Sequence, residues 1–140
     1  MKESRQMLEL CACTRIRTVA RLVTRAYDDA LRPVGLKASQ LAVLAAVDAL
    51  EAPSIAALSK ALFMDRSTLT RNLRPLMAGD LVELEEDGRS KTARLTARGE
   101  KTLRDGMPLW TRAQKDFGRR LKKHSLEPIE AQLHSLISSY

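Results

Sequence analysis

The sequence predicts a mainly α-helical protein that carries one small β-hairpin, and three observations support this. Apolar residues recur at spacings of three and four through most of the chain, as on one face of a helix. One stretch differs: Leu81–Glu85 alternates apolar and polar residues, Lys91–Leu95 returns, and Asp87-Gly88 between them favours a tight hairpin turn. No repeat or Pro/Gly/Ser-rich linker divides the 140 residues, so a single domain over 1–140 is expected.

The first helix is expected from about Glu9 to Leu31, where Ile16, Val19, Ala20, Val23, Ala26, Tyr27 and Ala30 share a stripe. Arg32-Pro33-Val34-Gly35 ends it, because Pro33 disfavours helical geometry before it and Gly35 accepts positive φ. A second helix from about Ser39 to Leu50 is apolar on most of its circumference through Leu41, Val43, Leu44, Val47 and Leu50, which predicts burial. Pro53 and Ser54 open the third, with Ser54 as N-cap. A break at Leu62-Phe63-Met64-Asp65 precedes the fourth, which Asp65 caps and Gly79 closes. Pro75 is expected to kink this helix or weaken its last turn. Beyond the hairpin, Thr96 caps a long helix toward Lys123, with an interruption expected near Gly106-Met107-Pro108. Ser125 begins a last helix reaching Ser138.

Helix, turn, polar helix and basic-tipped hairpin, in that order, make a winged helix-turn-helix. In that arrangement the second helix lies in the major groove of DNA and the hairpin touches the flanking backbone or minor groove. The candidate recognition residues are Arg66, Ser67, Thr68, Thr70, Arg71, Asn72 and Arg74, with no acid between Arg66 and Gly79 to repel phosphate. Arg66 and Arg71 suit guanine edges or phosphate, and Thr70 suits a thymine methyl. Ser54 joins the candidate contacts from the start of the third helix. The hairpin adds Asp87, Arg89, Ser90 and Lys91, with Arg89 placed for a narrow minor groove and Asp87 able to brace it. Glu83, Glu85 and Glu86 must face away from phosphate for this to work.

Composition agrees. Lys and Arg total 24 against 17 acids, for a formal net charge of +7, which attracts a polyanion. Aromatics are 4% of the chain, too few to build a stacking platform for single strands. There is no apolar run of transmembrane length and no signal-peptide core, so a cytoplasmic protein with no membrane partner and reduced cysteines is expected. No Gly-rich phosphate loop, Ser/His/Asp set or paired carboxylates argue for an enzyme, and no cofactor is expected. Two other classes stay open at this point: a winged-helix protein–protein adaptor, and a non-specific architectural DNA binder.

The stretch DRSTLTRNLRPLMAGDLV, the hairpin DGRSK, the following LTARG and the junction PVGLKASQLAVL together resemble the MarR family of bacterial transcriptional regulators, over essentially the whole chain. The resemblance implies a homodimer held by helices in about 1–35 and 100–140, around a DNA-binding region of about 39–98. It also implies a pseudo-palindromic operator, and repression that lasts until a small-molecule effector or an oxidant alters the dimer. The family's Asp-x-Arg in the wing falls on Asp87 and Arg89. Gly88 stands where a second arginine is usual, which removes one wing contact. Dimerisation also follows from geometry, since half-sites one turn apart, roughly 34–36 Å, need two reading heads related by symmetry.

Cys11 and Cys13 are the candidates for redox sensing. At i, i+2 on one helix they would point roughly 200° apart and not bridge without unwinding. Cys13 is expected on the apolar stripe, and Arg15 and Arg17 are the local cations able to favour a thiolate. The alternative reading makes both cysteines small buried hydrophobes. The spacing from Cys13 to Tyr27 and Gly35 is similar to the hydroperoxide-sensing branch of the family. Arg17 and Ala38, however, stand where that branch has further tyrosines. Tyr27 and Trp110 are candidates to line an effector pocket, or else belong to the core. His124 and His134 lie far along the chain, and no metal site is expected.

Overall fold

The computed structural model describes residues 1–88, 90–121 and 126–139, with Asp87 described by its backbone alone. Arg89, Lys122, Lys123, His124 and Ser125 lie outside the described residues. The order is α1 (Lys2–Leu10), α2 (Ala12–Leu31), α3 (Ala38–Ala49), α4 (Ile55–Ala61), α5 (Arg66–Ala78), β1 (Val82–Asp87), β2 (Ser90–Leu95), α6 (Ala97–Arg120) and α7 (Leu126–Ser138). This is the winged helix-turn-helix fold that the sequence predicts.

The core lies where α3, α4, α5 and the hairpin meet the start of α6. Leu41, Val43, Leu44 and Val47 of α3 pack with Leu58, Leu69, Leu73, Leu76, Val82 and Ala93. The helices begin where polar side chains satisfy the first free N–H groups. The Ser54 hydroxyl accepts from the Ala57 N–H at 3.1 Å, and the Thr96 hydroxyl accepts from the Gly99 N–H at 3.0 Å. The α2–α3 junction is pinned by Asp28, whose carboxylate accepts from the Ala38 N–H at 2.7 Å.

β1 and β2 pair antiparallel from Val82↔Leu95 to Asp87↔Ser90, and Gly88 takes the left-handed φ of 61° that the turn requires. The hairpin is tied to the helical body at its base. Ser54 bridges to Thr92, and the Ala93 N–H donates to the Pro53 carbonyl at 2.9 Å.

Three expectations need correction. The first helix begins at Lys2, and an extended residue, Cys11 (ψ 111°), breaks it into α1 and α2. No Gly or Pro marks that break. The long helix α6 runs unbroken through Gly106 and Pro108, because Gly106 is where α6 passes under α3: a Cβ there would meet Leu41 Cδ1 at 3.1 Å. Its small size serves packing rather than a turn. The helix α5, with Pro75 inside it, runs to Ala78 and closes at Gly79 as expected. Leu50, expected on the buried helix, follows its end and is 45% exposed.

The helix-turn-helix turn holds Phe63 at φ 49° with its ring 70% exposed. A left-handed non-glycine residue costs about 1–2 kcal/mol, and this ring repays little of that by burial. Phe63→Gly is therefore expected to raise stability by about 0.5–1 kcal/mol after the extra chain entropy of glycine is counted. Chemical unfolding of the two proteins checks this.

Candidate nucleic-acid interface

α5 buries Leu69, Leu73 and Leu76 and turns its other side outward. At 100° per residue, Ser67, Arg71 and Arg74 stand most nearly opposite that buried face. Two clefts flank the helix. The first, about 510 Å³, separates α5 from the hairpin and gathers Ser54, Arg66, Thr70, Arg74, Ser90 and Lys91. The second, about 500 Å³, separates α5 from the first turn of α3. It joins Thr68, Arg71 and Asn72 to Lys37, Ser39 and Gln40. The described candidate residues thus form one continuous surface, apart from Ser67, which lies on the ridge between the clefts. Arg89 and the side chain of Asp87 fall outside the described residues. Lys37, Ser39 and Gln40 escaped the sequence reading because they stand some thirty residues before the recognition helix, and only the fold brings them beside it.

Hydrogen bonding divides these residues into two kinds. The hydroxyls of Ser67 and Thr68 both donate to the Asp65 carboxylate, at 2.6 and 2.8 Å, and the Thr68 N–H donates to it at 2.8 Å. Thr70 donates to the Arg66 carbonyl, and the Asn72 amide to the Thr68 carbonyl. A phosphate only accepts, so these hydroxyls must change partner to reach one. The guanidinium groups of Arg66, Arg71 and Arg74 are the donors left facing outward; none of the three is in an ion pair among the described residues.

The three hydrogen bonds to Asp65 hold its carboxyl well below the usual carboxylate range, the Ser67 hydroxyl contributing most. A depressed folded value means the cap stabilises at pH above the ordinary carboxylate pKa, and that this contribution is lost as pH falls through the folded value. The stability difference between wild type and Asp65→Ala should therefore hold from neutral pH down through mild acid. It should shrink only in strong acid, as thermal unfolding at stepped pH will record.

Two acids of the hairpin have cations beside them. Glu85 pairs with Arg94 at 2.6 Å and Glu86 with Lys91 at 3.7 Å. Lys91 therefore faces the first cleft with an acid beside it, a loose and exposed pair worth little energetically.

A third cavity lies on the other side of α3. It holds about 270 Å³ and is lined by Tyr27 and Leu31 of α2, Ala38, Leu41, Ala42 and Ala45 of α3, and Met107 and Trp110 of α6. The Tyr27 hydroxyl donates to Gln114 Oε1, and the Gln114 amide donates to Glu130 of α7 at 2.6 Å. Burial pushes the Tyr27 phenol up, with Glu130 adding to it.

Neither cysteine is a buried hydrophobe. Cys13 lies along the α2 stripe with Ile16 and Ala20, all exposed in the single chain, and Cys11 is part-exposed at the helix break. The Thr14 hydroxyl, and then its backbone N–H, hold the Cys11 thiol below its ordinary value; the arginines named from the sequence are not the cause. Among the described residues no three His, Cys, Asp or Glu side chains gather as for a metal ion, and no single helix is long and apolar enough to cross a membrane.

A family model described as the MarR family matches residues 34–91. The chain is similar to the transcriptional regulator MosR of M. tuberculosis, at 30% identity over 94% of this chain and 96% of that one, with a TM-score of 0.83. The structure of MosR in complex with DNA is similar at 31% identity, over 92% and 95% of the two chains, with a TM-score of 0.82. A mutant MarR from E. coli complexed with operator DNA shares the fold at 23% identity, over 93% and 96%, with a TM-score of 0.81. No curated protein matches the chain.

Proposed function

This chain belongs to the MarR family of DNA-binding transcriptional regulators, and from that premise we propose that it is a homodimeric repressor reading a pseudo-palindromic operator through α5 and the hairpin. The observation that carries this is the exposed surface of α5: three arginines on the first three turns of a capped helix, flanked by clefts, with no acid along it. Arg66, Arg71 and Arg74 supply the contacts to bases and backbone. Ser54, Thr70, Asn72, Ser90 and Lys91 border them, and Asp87 and Arg89 complete the wing.

The dimer is supported by apolar side chains left in the open on the terminal helices. Met7, Leu8 and Leu10 of α1, Ile16, Val19 and Leu22 of α2, and Leu133, Leu136 and Ile137 of α7 are all exposed, and α7 buries nothing. A surface this apolar needs a partner, and reading two half-sites in successive major grooves requires a second α5 from a second copy. Sedimentation equilibrium at micromolar protein should give twice the 15.6 kDa chain mass. A species of one chain mass at that concentration would refute the dimer.

Release from DNA has two candidate triggers. An apolar effector in the Tyr27–Trp110 cavity would press on α2, α3 and α6 at once. Oxidation of Cys11 is favoured by its exposure and by the Thr14 hydrogen bonds that stabilise its thiolate. There a hydroperoxide is reduced to the alcohol while the thiolate becomes a sulfenic acid. Peroxide titration with operator binding as the readout separates the two: unchanged binding after both thiols are oxidised leaves the effector route alone.

A further inference from the structure

The cleft between α3 and α5 has chemistry that the recognition residues alone do not explain. Among the described residues, the only charged side chains on its walls are cations, Lys37 at the N-cap of α3 and Arg71 of α5. Neither is in an ion pair among the described residues. The acids nearby in sequence are occupied: Asp65 by the three hydrogen bonds of its cap, and Asp28 by the Ala38 N–H. Beside Lys37 stand the Ser39 hydroxyl and the Gln40 amide, whose oxygen accepts from the Lys37 N–H at 2.9 Å and whose nitrogen remains a donor.

Two cations facing one cleft repel each other, a cost that an anion between them would offset. The anion that fits is a phosphate of the strand bordering the groove. It can take two parallel hydrogen bonds from an arginine fork and the point charge of a lysine. We propose that Lys37 and Arg71 form a phosphate clamp, with α3 and α5 gripping one backbone phosphate of the operator between them. The inference rests on the DNA-reading function above and adds a contact from outside the recognition helix and the wing. Such a contact sets the register and tilt of α5 in the groove and reads no base itself. Ala38, between Lys37 and Ser39, also lines the Tyr27–Trp110 cavity, so an occupant of that cavity bears on the turn that carries the clamp.

The test compares the intact proteins Lys37→Gln, Lys37→Arg and Arg66→Ala with wild type, across a range of salt, on an operator duplex recovered from random sequence. The same duplex is then made with a single methylphosphonate at each backbone position in turn. Lys37 is exposed, so the fold is undisturbed. Lys37→Gln should weaken all operator variants alike and reduce the slope of log K against log salt by about 0.9 per protomer, with Lys37→Arg restoring it. One methylphosphonate should weaken wild type and leave Lys37→Gln indifferent. An unchanged slope and affinity in Lys37→Gln, while Arg66→Ala loses operator binding, overturns the clamp and leaves the DNA reading standing. No saturable binding of wild type to any duplex overturns both.

Discussion

Gly99→Ala is expected to lower stability by at least about 3 kcal/mol, and so to leave much of the protein unfolded near its growth temperature. A Cβ at this position would lie 1.9 Å from the Leu81 carbonyl oxygen and 2.9 Å from the Leu81 carbonyl carbon. These are backbone atoms, so no rotamer change relieves the clash. The backbone itself is held: the Leu81 carbonyl accepts from the Thr96 N–H at 3.2 Å, and the Thr96 hydroxyl donates to the Asp80 carbonyl at 2.6 Å while capping α6. The start of α6 and the base of the hairpin are thus pressed together with room for a hydrogen atom alone. Gly106→Ala serves as the control, since its Cβ would meet only the flexible end of Leu41 at 3.1 Å. Chemical unfolding should rank Gly99→Ala far below Gly106→Ala. Equal midpoints would mean that this contact is looser than described.

Arg66→Ala is expected to cost about 1–3 kcal/mol of operator affinity and to relax preference at one base pair. Arg66 opens α5, at the end of a recognition helix that enters the groove; it lines the cleft toward the hairpin and is in no ion pair among the described residues. Its guanidinium is therefore available to a guanine edge or a phosphate. Lys91→Ala, by contrast, should weaken all sequences about equally, because Lys91 sits on the hairpin beside Glu86. Binding isotherms against a panel of singly substituted operators distinguish the two. A loss at Arg66 that is uniform across the panel would assign it wholly to the backbone.

Much of this was legible in the chain because local chemistry decided it. Ser54, Asp65 and Thr96 are caps in sequence and in structure, and Asp87-Gly88 is the turn its composition implies. What escaped was decided by packing between distant segments. Gly106 and Pro108 look like breakers, yet α6 stays helical because Gly106 fits beneath Leu41. Lys37 shows nothing locally that marks it as part of the interface; the packing of α3 on α5 puts it there. The break at Cys11 has no local signal, and nothing in the structure explains why it falls at that residue.

The fate of the recognition hydroxyls was equally hidden. Ser67 and Thr68 have the residue types expected of DNA contacts, but the same hydroxyls serve the cap of the helix they ride on. Sequence shows which side chains can donate; it does not show where those donors are already spent. Arg66, Arg71 and Arg74 keep their reach because no acid among the described residues pairs with them.

The most direct test of the account is selection of binding sites by the intact protein from a library of random duplexes at physiological salt. The account predicts enrichment of an inverted repeat whose half-sites lie about 10–10.5 base pairs apart, centre to centre. Recovery of no preferred sequence, with affinity that falls steeply with salt on every duplex, would contradict it and make this a non-specific architectural binder. Recovery of no DNA at all would leave the winged helix as a protein adaptor.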